Sequence, residues 1–303
     1  MIQSVEDRLG RLDTPPLGGA VTDLRLDADG VAIHRGFLDR DLAERLADEL
    51  QPVFAKPILN RRRSTSIWLQ RGVKVAATPT ALRSVNLLEL CIDVRRLIPP
   101  EVGTNLVVTN LEVFSDTAED RVFWHTDRRR GMVRAMLYVE GGGERSGGFR
   151  YMRGTHACDH TVEHALRPDE VDALSNRETL CHGEPGDLVL FDSFGFHSKG
   201  ICESERMTVM IEFQPRDSEH PKASIDLNTR ALSASVLEDI ALFAPGPVES
   251  YGSHGADLHR TNDHVSFRLL RLVTGETIGL FLRTIGYRLR TGMRDLGSRR
   301  RRR

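Results

Sequence analysis

The apolar positions of the chain fall into short, separated runs, and their period changes from place to place. Leu42, Leu46 and Leu50 recur at four-residue spacing behind Asp39, which predicts a capped amphipathic helix running to about Phe54. A second helix is expected to open at Thr78-Pro79, since proline is tolerated in a first turn, and to stop before Pro99-Pro100. Elsewhere the pattern is that of strands. Val31 to Ile33, Thr104 to Phe114, Val133 to Val139, Gly148 to Met152, the apolar run after Gly186-Asp187, and Arg206 to Phe213 are each brief and rich in β-branched or aromatic residues. Glycine clusters such as Gly141-Gly142-Gly143 break them up. Many short strands with turns between them predict a mainly β fold with helical flanks. Its core is expected to be a double-stranded β-helix, a jelly roll of cupin-like form with two facing sheets and an open mouth.

The same pattern divides the chain into three parts. Residues 1–104 form a mixed, helix-bearing flank and residues 105–215 the β core. Residues 216–303 form a C-terminal extension with helical stretches expected at 230–244 and 264–290. In the last stretch Phe267, Leu269, Leu270, Leu272, Ile278, Phe281, Leu282 and Ile285 spread around the helix, which fits burial or a partner surface better than a membrane face. The polar segment 156–184, with His156, His160, His164 and His182, is read as a loop insert covering the core rather than as a metal cluster.

Composition narrows the class. The chain has 303 residues, 40% of them hydrophobic, and a formal net charge of -1, enough for a substantial core and with no overall field to attract nucleic acid. Eight arginines against one acid in residues 287–303 leave the remainder acidic, and the terminal Arg299 to Arg303 reads as a solvated tail. No run approaches a membrane span, and no apolar segment follows Met1. Cys91, Cys158, Cys181 and Cys202 show no Cys-x-x-Cys pairing, so reduced thiols and a cytoplasmic location are expected.

The chemistry concentrates in Trp124-His125-Thr126-Asp127. Side chains at i and i+2 of an extended segment share a face, so His125 and Asp127 can approach one metal together. A third ligand must come from farther along, and His197, at the far end of the run that follows Gly186-Asp187, is the candidate. Two imidazoles and a carboxylate leave coordination positions open, which suits non-haem Fe(II) and not a closed structural zinc site. Arg206 opens the next strand, where a planar guanidinium suits a bidentate grip on a carboxylate. A surface pairing of Arg206 with Glu203 or Glu205 is the plain alternative.

In these residues, and over roughly 105–215, the sequence resembles the Fe(II)/2-oxoglutarate dioxygenases, specifically the phytanoyl-CoA dioxygenase-like family. The resemblance rests on Trp124-His125-Thr126-Asp127, Gly147-Gly148, Gly154-Thr155-His156, Gly186-Asp187, His197 and Arg206. Arg153 stands where the family usually has proline. The resemblance implies Fe(II) held by His125, Asp127 and His197, with O2 and 2-oxoglutarate as cosubstrates and Arg206 and Thr208 on the distal carboxylate of 2-oxoglutarate. It implies decarboxylation to succinate with hydroxylation or desaturation of a small-molecule substrate. Relatives that halogenate lack the carboxylate that Asp127 supplies. Arg128, Arg129 and Arg130 follow Asp127 directly, and a cationic rim formed by Arg128 and Arg130 implies an anionic substrate, unless these arginines pair with the acids of residues 115–120. A metal-binding jelly-roll module without turnover and a hydroxylase acting on a macromolecule are the other readings. The sequence carries no signal for oligomeric state.

Overall fold

Two antiparallel sheets of unequal size face each other in the computed structural model, which describes residues 24–55, 68–70, 73–78, 82–116, 123–127, 130–160 and 165–215. The strands are β1 (Val31–His34), β2 (Trp68–Gln70), β3 (Val73–Ala77), β4 (Leu106–Asp116), β5 (Val133–Glu140), β6 (Phe149–Met152), β7 (Glu178–Cys181), β8 (Leu188–Asp192), β9 (His197–Lys199) and β10 (Arg206–Pro215). The larger sheet runs β1-β8-β5-β10-β4-β3-β2 and the smaller β7-β6-β9. This is a double-stranded β-helix, and strands from the N-terminal third lie at both edges of its larger sheet.

Strict alternation on the central strands explains why two layers form. On the outer face of the larger sheet, Val133, Ala135, Leu137 and Val139 of β5 join Val209, Ile211 and Phe213 of β10. They pack under helices α2 (Arg40–Ala55) and α3 (Leu87–Leu97) through Leu46, Leu50, Leu90 and Val94. The intervening residues Met136, Tyr138, Val189 and Phe191 turn inward and meet Phe149 and Tyr151 of β6. Each large side chain buried in this way contributes roughly 1.5–3 kcal/mol.

Asp39 caps α2 as expected, its Oδ1 accepting the Asp41 amide at 2.9 Å. The second helix begins later than the proline signal predicts. Residues 82–86 are non-helical, and Asn86 ends them by accepting the Leu90 amide at its own carbonyl. A short helix α1 (Leu26–Asp29) precedes β1. The polar insert also holds more structure than expected. Pro168–Leu174 is a helix, α4, whose Glu170 carboxylate accepts the Arg167 amide, and Glu178–Cys181 adds β7 to the small sheet. The Pro168-Asp169-Glu170 run was the available helix-start signal. Arg153, in the family's proline position, donates its amide to the Arg177 carbonyl at 3.0 Å, a bond that proline could not make.

The Gly186-Asp187 turn behaves as read. Gly186 takes φ 98, and a Cβ there would lie 2.3 Å from the Leu38 carbonyl oxygen. Asp187 accepts bonds from the Arg35 guanidinium and from the Gly36 and Glu184 amides. Among the described residues no helix is long and apolar enough to cross a membrane. The helices expected at 230–244 and 264–290 and the arginine tail lie outside the described residues.

Candidate metal and cosubstrate site

The two sheets meet where His125 and His197 pair. The His125 amide donates to the His197 carbonyl at 3.0 Å, and the His197 amide returns the bond at 2.9 Å. Residues opposed in this way carry their side chains on the same face, and the two imidazoles lie 4.4 Å apart between centroids. The run after Gly186-Asp187 does not carry His197 at its own end. β8 stops at Asp192, residues 193–196 turn the chain into the other sheet, and His197 opens β9. That turn also fixes Asp127, whose amide donates to the Ser193 carbonyl at 3.0 Å. The Thr126 hydroxyl, on the opposite face, donates to the Phe194 carbonyl at 2.7 Å.

Gly195 in this turn sits against Tyr151. A Cβ on it would lie 1.9 Å from the Tyr151 hydroxyl oxygen, and that fully buried ring has nowhere to go. Gly195→Ala is therefore expected to lower stability by about 1–3 kcal/mol, read as a fall in Tm, and to weaken metal binding by displacing His197.

Ligand atoms of His125, Asp127 and His197 all lie within 4.8 Å of one another, the one such group among the described residues. The hydrogen bonds fit the set to a metal. His125 Nδ1 lies 3.0 Å from the Phe123 carbonyl and His197 Nδ1 2.9 Å from the Gly195 carbonyl. A carbonyl only accepts, so in each neutral ring Nδ1 carries the proton and Nε2 offers its lone pair to the site. Burial, reinforced by His125, pushes His197 down to about 3, which leaves its imidazole in the neutral form that a metal ligand requires. Its Nε2 stands 3.8 Å from Asp127 Oδ2. Of the histidines of the polar segment, His156 faces the Asp27 carbonyl, His160 stacks on Phe194 and His182 lies beside Gly148, so among the described residues they form no second cluster, while His164 is outside them. Trp124 packs with Met152, Leu166, Leu174 and Phe196.

Arg206 opens β10 and is 7% exposed. It pairs with neither Glu203 nor Glu205. Glu203 pairs with Arg145, and Glu205 accepts the Ser115 hydroxyl. Arg206 instead reaches Asp116 Oδ2 at 2.9 Å and the Gly147 carbonyl. Thr208, 3% exposed, follows on the same face of β10. Among the described residues Arg130 bonds Asp159 at 2.8 Å and the Cys158 carbonyl and lies over the Phe194 ring at 4.4 Å, while residues 117–120 of the acidic stretch lie outside the described residues. Arg128 is outside the described residues.

Three residues of the site had no motif to announce them. Lys199 shares a face with His197, two residues on, and binds both oxygens of Asp116 at 2.6 Å. Arg134 bridges Asp127 Oδ2 at 3.1 Å and Glu212 Oε2 at 3.0 Å. Glu112 is the third, across β4 and β10 from Met210. Burial raises its carboxyl to about 7; the Asn110 bond and Arg134 oppose the shift and Glu212 adds to it. The folded value exceeds the unfolded one, so the contribution to stability is whole below about pH 4.5 and is lost as pH rises through about 7. Glu112→Gln is expected to flatten this slope in chelator-treated protein and to stabilise it at pH 8 by up to about 3 kcal/mol, measured by urea unfolding across pH.

A double-stranded β-helix with two imidazoles and a carboxylate between its sheets and a buried arginine on the strand after the distal histidine defines the class of 2-oxoglutarate-dependent non-haem iron oxygenases. A sequence model of the phytanoyl-CoA dioxygenase (PhyH) family matches residues 26–204. The chain belongs to this family, and it is a 2-oxoglutarate-dependent dioxygenase that uses iron, 2-oxoglutarate and O2. Among solved structures, EctD from S. alaskensis in its apoform superposes with a TM-score of 0.51 at 14% identity, covering 71% of this chain and 90% of that one. The epimerase SnoN, in complex with Fe3+, alpha ketoglutarate and nogalamycin RO, gives 0.50 at 16% identity over 63% of this chain and 81% of its own. Both likenesses are of fold. No curated protein matches the sequence.

Proposed function

We propose that the protein hydroxylates, or desaturates, a small organic substrate at an iron centre held by His125, Asp127 and His197. The carrying observation is the convergence of these three ligand atoms within 4.8 Å, with both imidazole Nε2 lone pairs left available. When bound, the iron supplies adjacent open positions where O2 is reduced as 2-oxoglutarate is oxidised to succinate and CO2.

The chain's own residues do the remaining work. Arg134 holds one oxygen of Asp127 and thereby orients the carboxylate. Arg206, with Thr208 beside it, binds the distal carboxylate of 2-oxoglutarate. Phe149 and Phe191, their rings 5.9 and 5.2 Å from that of His197, exclude water from one side of the site. The test is succinate production from 2-oxoglutarate with Fe(II) and a panel of substrates. Stimulation by one substrate class is the expected result, and protein that binds metal yet forms no succinate with or without substrate would reduce the chain to a binding module.

We further propose an anionic substrate steered by Arg128 and Arg130. The half-exposed Arg130 side chain, facing a fully exposed Asp159, supports a surface role that salt can screen. Replacing both arginines with Gln is expected to lower kcat/KM several-fold at low ionic strength, with the gap to wild type closing as salt is added. Equal activity and equal salt dependence would remove the rim from substrate binding. We also propose a cytoplasmic location, which the four unbridged thiols support.

A further inference from the structure

Arg206 does not stand alone in the site. Lys199 projects from β9 and Arg206 from β10, so the two cations come from opposite sheets, and both are held by one carboxylate, Asp116 of β4. All three are buried, at 8%, 7% and 2% exposure. Among the described residues these two cations share one anion, which leaves an excess positive charge, and Arg206 Nε has no hydrogen-bond partner there. A buried, uncompensated charge is costly, so the cluster is built to take one further anion. Lys199 lies two residues beyond His197, roughly 7 Å along the strand, a distance that a five-carbon dicarboxylate anchored at the triad can span.

We propose that Asp116 and Lys199 together set the affinity for the distal carboxylate of 2-oxoglutarate: Asp116 is a resident counter-ion that cancels one of two cations, and Lys199 supplies the charge that leaves Arg206 able to bind. This inference rests on the cosubstrate reading above. It makes the net charge of the cluster, rather than contact alone, the determinant of binding. With Lys199 removed, Arg206 and Asp116 form a neutral pair. With Asp116 neutralised, both cations face the ligand.

The test uses full-length protein loaded with Ni(II) and calorimetric titration with 2-oxoglutarate. Lys199→Met is expected to raise Kd about tenfold and Asp116→Asn to lower it about tenfold, the scale of one partly screened charge at close range. The double variant restores the single net charge and is expected to return near the wild-type value. Pyruvate, a 2-oxo acid without the distal carboxylate, should bind all four proteins alike. Lys199→Met keeps an unbranched chain in place, so it still decides the matter if Asp116→Asn fails to fold. A Lys199→Met protein that binds 2-oxoglutarate like wild type, or an Asp116→Asn protein that binds it more weakly, overturns the inference. If wild type and Arg206→Ala bind 2-oxoglutarate equally, the cosubstrate reading itself fails.

Discussion

Asp127→Ala is expected to abolish substrate-stimulated succinate formation and to weaken metal binding by more than 100-fold. Losing a partner outside the ligand set already costs about 10- to 100-fold, and in the proposed site Asp127 is itself one of the three ligands. The fold should survive. Asp127 is only partly buried, its amide bond to Ser193 does not depend on the side chain, and Arg134 keeps Glu212 when the carboxylate is gone. His197→Ala should be equally inactive and less stable, because its ring is packed between Phe149, Phe191 and His125 and its loss leaves a cavity. Far-UV circular dichroism, a metal titration and a succinate assay on the same preparations separate these effects. Full activity in Asp127→Ala would remove the residue from the ligand set.

Arg206→Ala is expected to raise the KM for 2-oxoglutarate by about 100-fold, with a smaller effect on kcat at saturation. Removing one partner of a buried, hydrogen-bonded charge pair costs roughly 2–5 kcal/mol, so a 100-fold change, about 2.7 kcal/mol, lies in the lower half of that range. Part of the cost falls on the protein, because Asp116 then loses the guanidinium and keeps the Lys199 ammonium. Arg206→Lys should recover little. An ammonium can replace one bond but cannot reach Asp116, the Gly147 carbonyl and a cosubstrate carboxylate at once, as the planar fork can. An unchanged KM in Arg206→Ala would hand the carboxylate to another cation.

Much of this architecture was legible in the order of residues. The short runs Val133 to Val139 and Arg206 to Phe213, rich in β-branched and aromatic residues, declared strands, and the Asp39 cap placed the start of α2. Periodicity reports which face of an element is apolar, and those signals are local. The start of α3 was misplaced because Pro79 offers a helix start without requiring one, while the cap at Asn86 is a weaker signal. The insert read as polar loop contains α4 and β7 because a seven-residue helix and a four-residue strand are too short to show a period.

The sequence alone determined that His125 and Asp127 share a face, that a second histidine and an arginine follow on later strands, and that these residue types suit an iron site with open positions. Only the tertiary structure decided that His125 and His197 bond each other's backbones, that both imidazoles turn Nε2 to the site, and that Arg206 is buried. It alone joined Lys199 to Asp116 and Arg134 to Asp127. The physical reason is the same in each case. A charged side chain carries no periodic signature, and its partner is chosen by which strands the sheet sets side by side, through pairings between segments far apart in the chain.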